Sequence, residues 1–350
     1  MRLLVTGAAG FIGSNFVRRV LARPAGVERL VAVDLLTYAG NLANLGECLA
    51  DPRVRFERLD IADRDAMAAL VRAEHVDAVV NLAAETHVDR SIDDHGPFLR
   101  ANVHGVLALL DAVRDRPEFR RFLQVSTDEV YGSVAQGRSV ETAPLHPSSP
   151  YAASKAAADA FVQAYQATYG VPTTITRCCN NYGPHQFPEK LIPLFVTNAL
   201  EDKPLPLYGD GMQVRDWIHV DDHCDALWHL VERDDTLGRV YNVSANEERT
   251  NRDVTAVILA ATGRPHSLVR TVADRPGHDR RYALDAARLR ATGWVPRWRF
   301  EDGIAETIAW YGRERAWVES VRSGAYRDYY EHMYGQRLRE GRPAPAEREP

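Results

Sequence analysis

The 350-residue chain is poor in cysteine, in long apolar runs and in surplus charge of either sign. Its four cysteines, Cys48, Cys178, Cys179 and Cys224, form no C-x-x-C spacing, and two of them are adjacent. That excludes a disulfide framework and a zinc site built on cysteine pairs, and suits buried thiols in a reducing compartment. No uncharged apolar run approaches the ~20 residues that cross a bilayer, so no membrane partner is expected. Arg2-Leu-Leu-Val-Thr6 is too short for the apolar centre of a secretory leader and runs directly into glycines, so a cytoplasmic location is expected. A net charge of −5 leaves no basic surplus for nucleic acid. What is present, 45% hydrophobic and 26% charged residues, is ordinary for a globular chain, and the length allows one large domain or two smaller ones.

Strand-like runs at 3–5, 30–34, 54–60, 76–82, 122–126 and 173–177 alternate with helical patterns at 11–21, 62–73, 98–114 and 151–169. Such alternation predicts an α/β fold with a doubly wound parallel, Rossmann-type sheet. After Cys179 the pattern loosens around Pro184, Pro188, Pro193, Pro204 and Pro206. Residues 1–178, joined by a segment at about 214–243 that returns to the sheet, are expected to form one domain. Residues 179–213 and 244–335 are expected to form a smaller, discontinuous lobe over the sheet's carboxyl edge, where ligand clefts form. The stretch 336–350, with four arginines, three glutamates and three prolines, is expected to be a disordered tail.

Gly7-Ala-Ala-Gly10-Phe11-Ile12-Gly13 follows a strand and opens a helix. A glycine triplet alone also marks a plain turn. In this context it lets a pyrophosphate approach the N–H groups of a helix N-terminus. Asp34 closes the second strand about 20 residues on, where a carboxylate bonds a ribose diol and repels a 2′-phosphate, so NAD is expected as cofactor rather than NADP. Asp60 and Ile61 end the third strand and can flank adenine, and Leu82-Ala83-Ala84 is small enough to pass close to a cofactor. Both segments also read as plain strand ends.

Tyr151 and Lys155 lie at i and i+4 on one face of a predicted helix. A phenol with a reference pKa of ~10 becomes a base near neutrality only beside positive charge, which an ammonium and a nicotinamide ring supply. Thr127, at the end of the fifth strand, can orient a substrate hydroxyl. Asp128 and Glu129 follow it. Adjacent acids are common on solvated loops, but these sit at a strand's carboxyl end in the same predicted cleft. Unequal burial would make one an acid and the other a base, which removal of water requires and simple alcohol oxidation does not. His219-Val-Asp-Asp-His223 reads as a strand-to-helix junction with an aspartate cap, and no metal is expected.

With these residues the chain resembles the extended short-chain dehydrogenase/reductase family, and within it the enzymes that dehydrate nucleotide sugars. The blocks that carry the resemblance are Leu36-Thr37-Tyr-Ala-Gly-Asn-Leu42, Glu85-Thr86-His-Val-Asp-Arg-Ser91, Ser126-Thr-Asp-Glu-Val-Tyr-Gly132, Asn180-Asn181-Tyr-Gly-Pro184, Pro188-Glu-Lys-Leu-Ile-Pro193, Arg215-Asp-Trp217 and Asp274-Arg-Pro-Gly-His-Asp279. It implies dTDP-glucose as substrate, Tyr151 as base for the 4-hydroxyl, Glu129 as base at C5, Asp128 as acid for the 6-hydroxyl, and Lys155 on the nicotinamide ribose. It further implies that Leu35, Leu36, Thr37 and Asn181 contact the cofactor. Thr86, Thr127, Asn180, Glu189, Lys190, Arg215, Asn251, Arg275 and His278 would surround the nucleotide sugar, with Pro206-Leu207-Tyr208 beside the base. Arg215 and Arg275 suit the pyrophosphate, although pairing with Asp216 or Asp279 would explain them too. Cys179 stands where a serine is frequent and Ala101 where a threonine is. The helices near 98–114 and 151–169 resemble those that join a homodimer in this family.

An epimerase needs the tyrosine and lysine but not the Asp-Glu pair. A UDP-glucuronate decarboxylase keeps the glutamate with serine at the position of Asp128. A silent NAD-sensing protein would lose the tyrosine or the lysine. The residues present therefore favour dehydration.

Overall fold

The structure is a computed structural model that describes residues 1–23, 26–322 and 325–343. Thirteen short strands are described: β1 (Arg2–Thr6), β2 (Arg29–Val33), β3 (Val54–Glu57), β4 (Ala78–Asn81), β5 (Arg121–Thr127), β6 (Thr173–Cys178), β7 (Asn180–Tyr182), β8 (Leu205–Tyr208), β9 (Val214–His219), β10 (Arg239–Val243), β11 (Glu248–Thr250), β12 (Val269–Val272) and β13 (Arg342–Pro343). Seven build one parallel sheet in the order β10-β6-β5-β4-β1-β2-β3. Its central strands are covered on both faces, which explains their unbroken apolar runs. Leu3 and Val5 face a core formed with the helices Phe11–Leu21 and Val220–Val231, whereas Leu4 faces a second core under Arg64–Ala73, Gly105–Val113 and Pro150–Tyr169.

The chain runs outward through β2 and β3, then returns to place β4 on the other side of β1. Connections that diverge between β1 and β4 open a crevice beyond their carboxyl ends, where open α/β sheets bind ligands. Across this seam the Thr6 hydroxyl donates to Asn81 Oδ1 at 2.5 Å, and Asn81 Nδ2 donates to Gln124 Oε1 at 2.8 Å. These buried polar groups lock β1, β4 and β5 together below the crevice.

A third core lies in the second lobe, around Tyr182, Phe195, Trp217, Ile258, Phe300 and Tyr311. Two expectations are corrected here. Residues 214–219 do not return to the main sheet: β9 lies between β7 and β11, and Trp217 packs edge-on against Tyr182. The seat beside β6 is taken by β10. The expected disordered tail is ordered as far as it is described. Gln336–Glu340 is helical and β13 pairs with β12, because Leu338 packs on the third core and Arg337 Nη1 reaches the Tyr208 hydroxyl at 2.7 Å. Residues 344–350 lie outside the described residues.

Candidate active site

At the end of β1 the chain turns through Gly7 with φ +64°, and a Cβ there would stand 2.7 Å from the Ala83 nitrogen. A Cβ on Gly13 would stand 2.0 Å from the Gly7 oxygen. Only glycine allows this double close approach. Gly10 caps the helix Phe11–Leu21 without a side-chain bond, so the first-turn N–H groups face a cavity of about 470 Å³. An uncapped helix N-terminus with a glycine turn fits a pyrophosphate.

Asp34 follows β2 into this cavity. Its Oδ2 accepts from Ala9 N at 2.9 Å and its Oδ1 from Leu36 N at 2.7 Å, which fixes the carboxyl orientation. Burial pushes it up, and the N–H groups of Leu36, Ala9 and Gly10 oppose that. Phe11, Ile12, Leu35 and Thr37 line the same wall, and Asp60 and Ile61 the next. β3 ends at Glu57 rather than at residue 60, which frees Asp60 to reach the cavity, where its Oδ2 accepts from Arg100 Nε at 2.8 Å. Leu82, Ala83 and Ala84 pass along its floor. Leu36 does not line the cavity; its backbone is in the left-handed region (φ 57°) and its contribution is the N–H to Asp34. The cavity's size and donor set fit NAD.

Thr127, Asp128, Glu129 and Tyr151 converge on the other end of the same cavity. The first three leave β5 in a 3-10 turn, and Tyr151 sits in the first turn of Pro150–Tyr169. The Thr127 hydroxyl donates to Asp128 Oδ1 at 3.2 Å and accepts from Glu129 N at 3.2 Å. Asp128 Oδ2 is buried without a hydrogen-bond partner among the described residues. Burial, then the Glu129 charge, then Cys178 push the Asp128 carboxyl well above the carboxylate range. Burial also raises Glu129, but Arg275, Lys190 and Arg215 oppose it. Both carboxyls are raised by burial, but Asp128 also faces the charge of Glu129 whereas Glu129 faces three cations, so Asp128 is the better placed as acid and Glu129 as base.

Lys155 lies beneath the cavity rather than on its wall, and its Nζ donates to Val125 O at 2.6 Å. Burial pulls the ammonium down to about 8, with Asp159 pulling the other way. The expected lowering of the phenol does not come from the protein's own charges. Burial first and Glu129 second push Tyr151 upward, while its hydrogen bond with Thr127 acts the other way.

Thr86, Asn180, Asn181, Glu189 and Lys190 also line the cavity, as do the two departures Cys179 and Ala101. Asn181 spends its side chain inside the protein, donating to Cys179 O at 3.0 Å and meeting His223 Nδ1 at 2.8 Å. Lys190 Nζ donates to Thr86 O at 2.9 Å. Arg215, Asn251, Arg275, His278 and the strand Pro206-Leu207-Tyr208 are not on the cavity wall. They form the adjoining part of the second lobe, where the Tyr208 and His278 rings meet at 6.1 Å. The alternative ion pairs for the arginines are not made. Arg275 faces Asp89 at 3.6 Å, and Arg215 donates to the carbonyls of Val214 and Asp279 while stacking on Tyr282. The cap of Val220–Val231 is His219 rather than an aspartate, with its ring nitrogen accepting from Asp221 N. Sequence reasoning passed over Glu85, which lines the cavity with its carboxyl raised to about 7 by burial and by Glu189. The only signal for it was its place at the head of the Glu85–Ser91 block.

A doubly wound sheet, a glycine turn under an open helix N-terminus and a Tyr-Lys helix beside it define a short-chain dehydrogenase/reductase scaffold. The chain belongs to the GDP-mannose 4,6 dehydratase family, whose profile matches residues 4–307. A dTDP-glucose 4,6-dehydratase of Xanthomonas campestris pv. campestris is 49% identical over 343 residues, covering 93% of this chain and 97% of the relative. A dTDP-glucose 4,6-dehydratase of Streptomyces venezuelae, solved with NAD and TYD bound, superposes with a TM-score of 0.89 at 50% identity, covering 92% of this chain and all of the other. A UDP-glucose 4-epimerase of Thermus thermophilus in complex with NAD reaches 0.82 at 33% identity, covering 90% of this chain and all of the other. Because dehydratase and epimerase share the fold, the reaction has to be argued from the site.

Proposed function

We propose that this chain converts dTDP-glucose to dTDP-4-keto-6-deoxyglucose, a hydro-lyase step of deoxysugar synthesis that uses NAD. The observation that carries this reading is the Asp128–Glu129 pair, buried in one cavity with Tyr151 and given unequal electrostatic surroundings. Epimerisation gives such a pair no work.

The chemistry that NAD supplies when bound is a reversible hydride sink between C4 and C6, and a positive ring charge that favours the Tyr151 phenolate. Tyr151 takes the 4-hydroxyl proton as C4 becomes a ketone. The ketone acidifies the C5 proton, which Glu129 removes. Asp128 protonates the C6 hydroxyl, which leaves as water, and Glu129 returns its proton to C5 as C6 is reduced. Over one turnover Tyr151 has gained a proton and Asp128 has lost one. The Thr127 hydroxyl, bonded to Asp128 Oδ1 and facing the phenol, is the route by which both are reset.

Gly7, Gly10, Phe11, Ile12, Gly13, Asp34, Leu35, Thr37, Asp60, Ile61 and Leu82 to Ala84 are assigned to the cofactor, with Lys155 tuning Tyr151 from below. Thr86, Asn180, Glu189 and Lys190 are assigned to the hexose. Arg215 and Arg275 are assigned to the diphosphate, on the strength of the positive field they project onto Glu129, and Asn251, His278 and Pro206 to Tyr208, in the adjoining part of the lobe, to the rest of the nucleotide. A homodimer in the cytoplasm completes the reading, supported by apolar side chains left outward on the helices at 96–113 and 150–169.

Incubation with dTDP-glucose should give the alkaline absorbance of a 4-keto-6-deoxy sugar. Epimer or pentose formed from UDP-sugars instead, with no keto product, would reject the assignment.

A further inference from the structure

Arg90 touches neither the proposed cofactor wall nor a reacting group, yet it stands where three distant segments meet. It lies on the short helix Val88–Asp93. Its guanidinium carbon is 3.9 Å from the ring centroid of Tyr38 and 3.7 Å from that of Tyr329. Its Nε donates to Glu189 Oε2 at 3.3 Å, and the Tyr38 hydroxyl donates to Glu189 Oε1 at 3.0 Å. Both oxygens of a buried carboxylate are thereby held, one by each partner.

The three segments have different tasks. Tyr38 belongs to the loop after β2, in which Asp34, Leu35, Thr37, Ala39 and Gly40 line the cavity. Glu189 lines the cavity's sugar end. Tyr329 belongs to the helix Ala325–Tyr330 near the C-terminal end of the described residues. That helix is itself anchored: the Tyr329 hydroxyl meets His87 Nδ1 at 3.2 Å, and the Tyr326 hydroxyl donates to Pro188 O at 3.0 Å. The Phe187 ring lies 5.6 Å from Tyr38 on one side and 5.6 Å from Tyr326 on the other. A planar guanidinium can stack its faces on two rings while its edge pairs with a carboxylate; a lysine, with a compact ammonium, has no flat face to do so. Removing it would leave the Glu189 carboxylate buried against Glu85 with only Lys190 and the Tyr38 hydroxyl to hold it.

We propose that Arg90 is a positioning residue that ties the loop over the cofactor site to the sugar site, and that this tie keeps NAD bound from one turnover to the next. The inference rests on the NAD-dependent reading above. The reaction returns its cofactor unchanged, so retention favours turnover, and a loop pinned through Tyr38 cannot lift to release it.

The test compares the full-length protein with Arg90→Met, Arg90→Lys and Tyr38→Phe. NAD retained per chain after gel filtration, NAD affinity, and the KM and kcat for dTDP-glucose at saturating NAD are measured. Arg90→Met should bind NAD about tenfold more weakly and raise the sugar KM about tenfold, the scale of a desolvated cation–π and ion-pair contact. Its kcat in excess NAD should stay within about threefold of the parent, since no reacting group is touched. Arg90→Lys should recover only part of the loss, and Tyr38→Phe, which keeps the ring, should still shed NAD faster than the parent. Parental NAD retention and KM in Arg90→Met would overturn the proposal. If that variant does not fold, Tyr38→Phe decides alone: faster NAD loss upholds the tie and parental retention ends it. A parent that makes no keto sugar from dTDP-glucose would sink the functional reading instead, while the NAD measurements would still judge the tie.

Discussion

Asp128 and Glu129 are neighbours in sequence but not in chemistry. Burial and the Glu129 charge push Asp128 well above the carboxylate range, while burial raises Glu129 against the opposing pull of Arg275, Lys190 and Arg215. Asp128→Asn keeps the shape and removes the transferable proton. Elimination should slow by about 10²–10⁴-fold, and C4 oxidation should persist as a transient NADH absorbance in a single turnover. Lost oxidation together with normal elimination from a supplied 4-keto sugar would reverse the two roles. Beneath them, Lys155 is useful as the ammonium, which exists below its pKa and is lost as pH rises through about 8. Asp159, one helical turn on and paired with Arg177 at 2.9 Å, holds that value up. Asp159→Asn should therefore move the alkaline limb of the kcat/KM profile to lower pH. Breaking a buried pair also destabilises, by roughly 3–5 kcal/mol. The position of the limb, not the height of the curve, is the deciding readout.

The element that presents Tyr151 is set by its first turn. Ser149 caps Pro150–Tyr169, its hydroxyl accepting from Ala152 N at 3.1 Å, with Pro150 at the first helical position. Ser149→Ala should lower stability by about 1 kcal/mol in urea unfolding and loosen Tyr151, reducing kcat, whereas Ser149→Asp should restore both. This helix, the glycine turn and β1 to β6 of the main sheet were legible because each is written locally, as a cap, a close approach or a run of strand-forming residues, whereas β10 was not. Nor was β9. Six residues with an apolar face suit any sheet, and its partners β7 and β11 are chosen by the packing of Trp217 on Tyr182, which no local pattern encodes. The C-terminal helices were missed for the same reason: Tyr326, Tyr329 and Arg337 meet residues far away in the chain. Within the site, the residues that touch ligand by proposal lie in recognisable blocks. The role of Arg90 depends on Tyr38 and Tyr329 arriving from opposite ends of the chain, so it emerges only in three dimensions.

At the scale of the whole molecule, one surface is at odds with a lone chain. Leu99 is 46% exposed on the helical segment at 96–113, and Phe161 at 39% and Tyr169 at 51% lie on Pro150–Tyr169. Single exposed apolar residues mean little, but three large ones on two adjacent helices suit a symmetric pairing. The second of these helices carries Tyr151 and Lys155 on its buried side, so a partner seated outside would stiffen the catalytic face from behind. A stable pairing has to bury more than about 1,000 Å² in total, which two such helices per subunit can offer. Phe161→Glu places a charge on that face and should convert the proposed dimer to monomer in sedimentation velocity. The parent's melting temperature should fall on dilution, and the variant's should not, because only an associating native state depends on concentration. A parent that sediments as a monomer at tens of micromolar would remove the pairing, and a Phe161→Glu variant that stays dimeric would move the interface elsewhere.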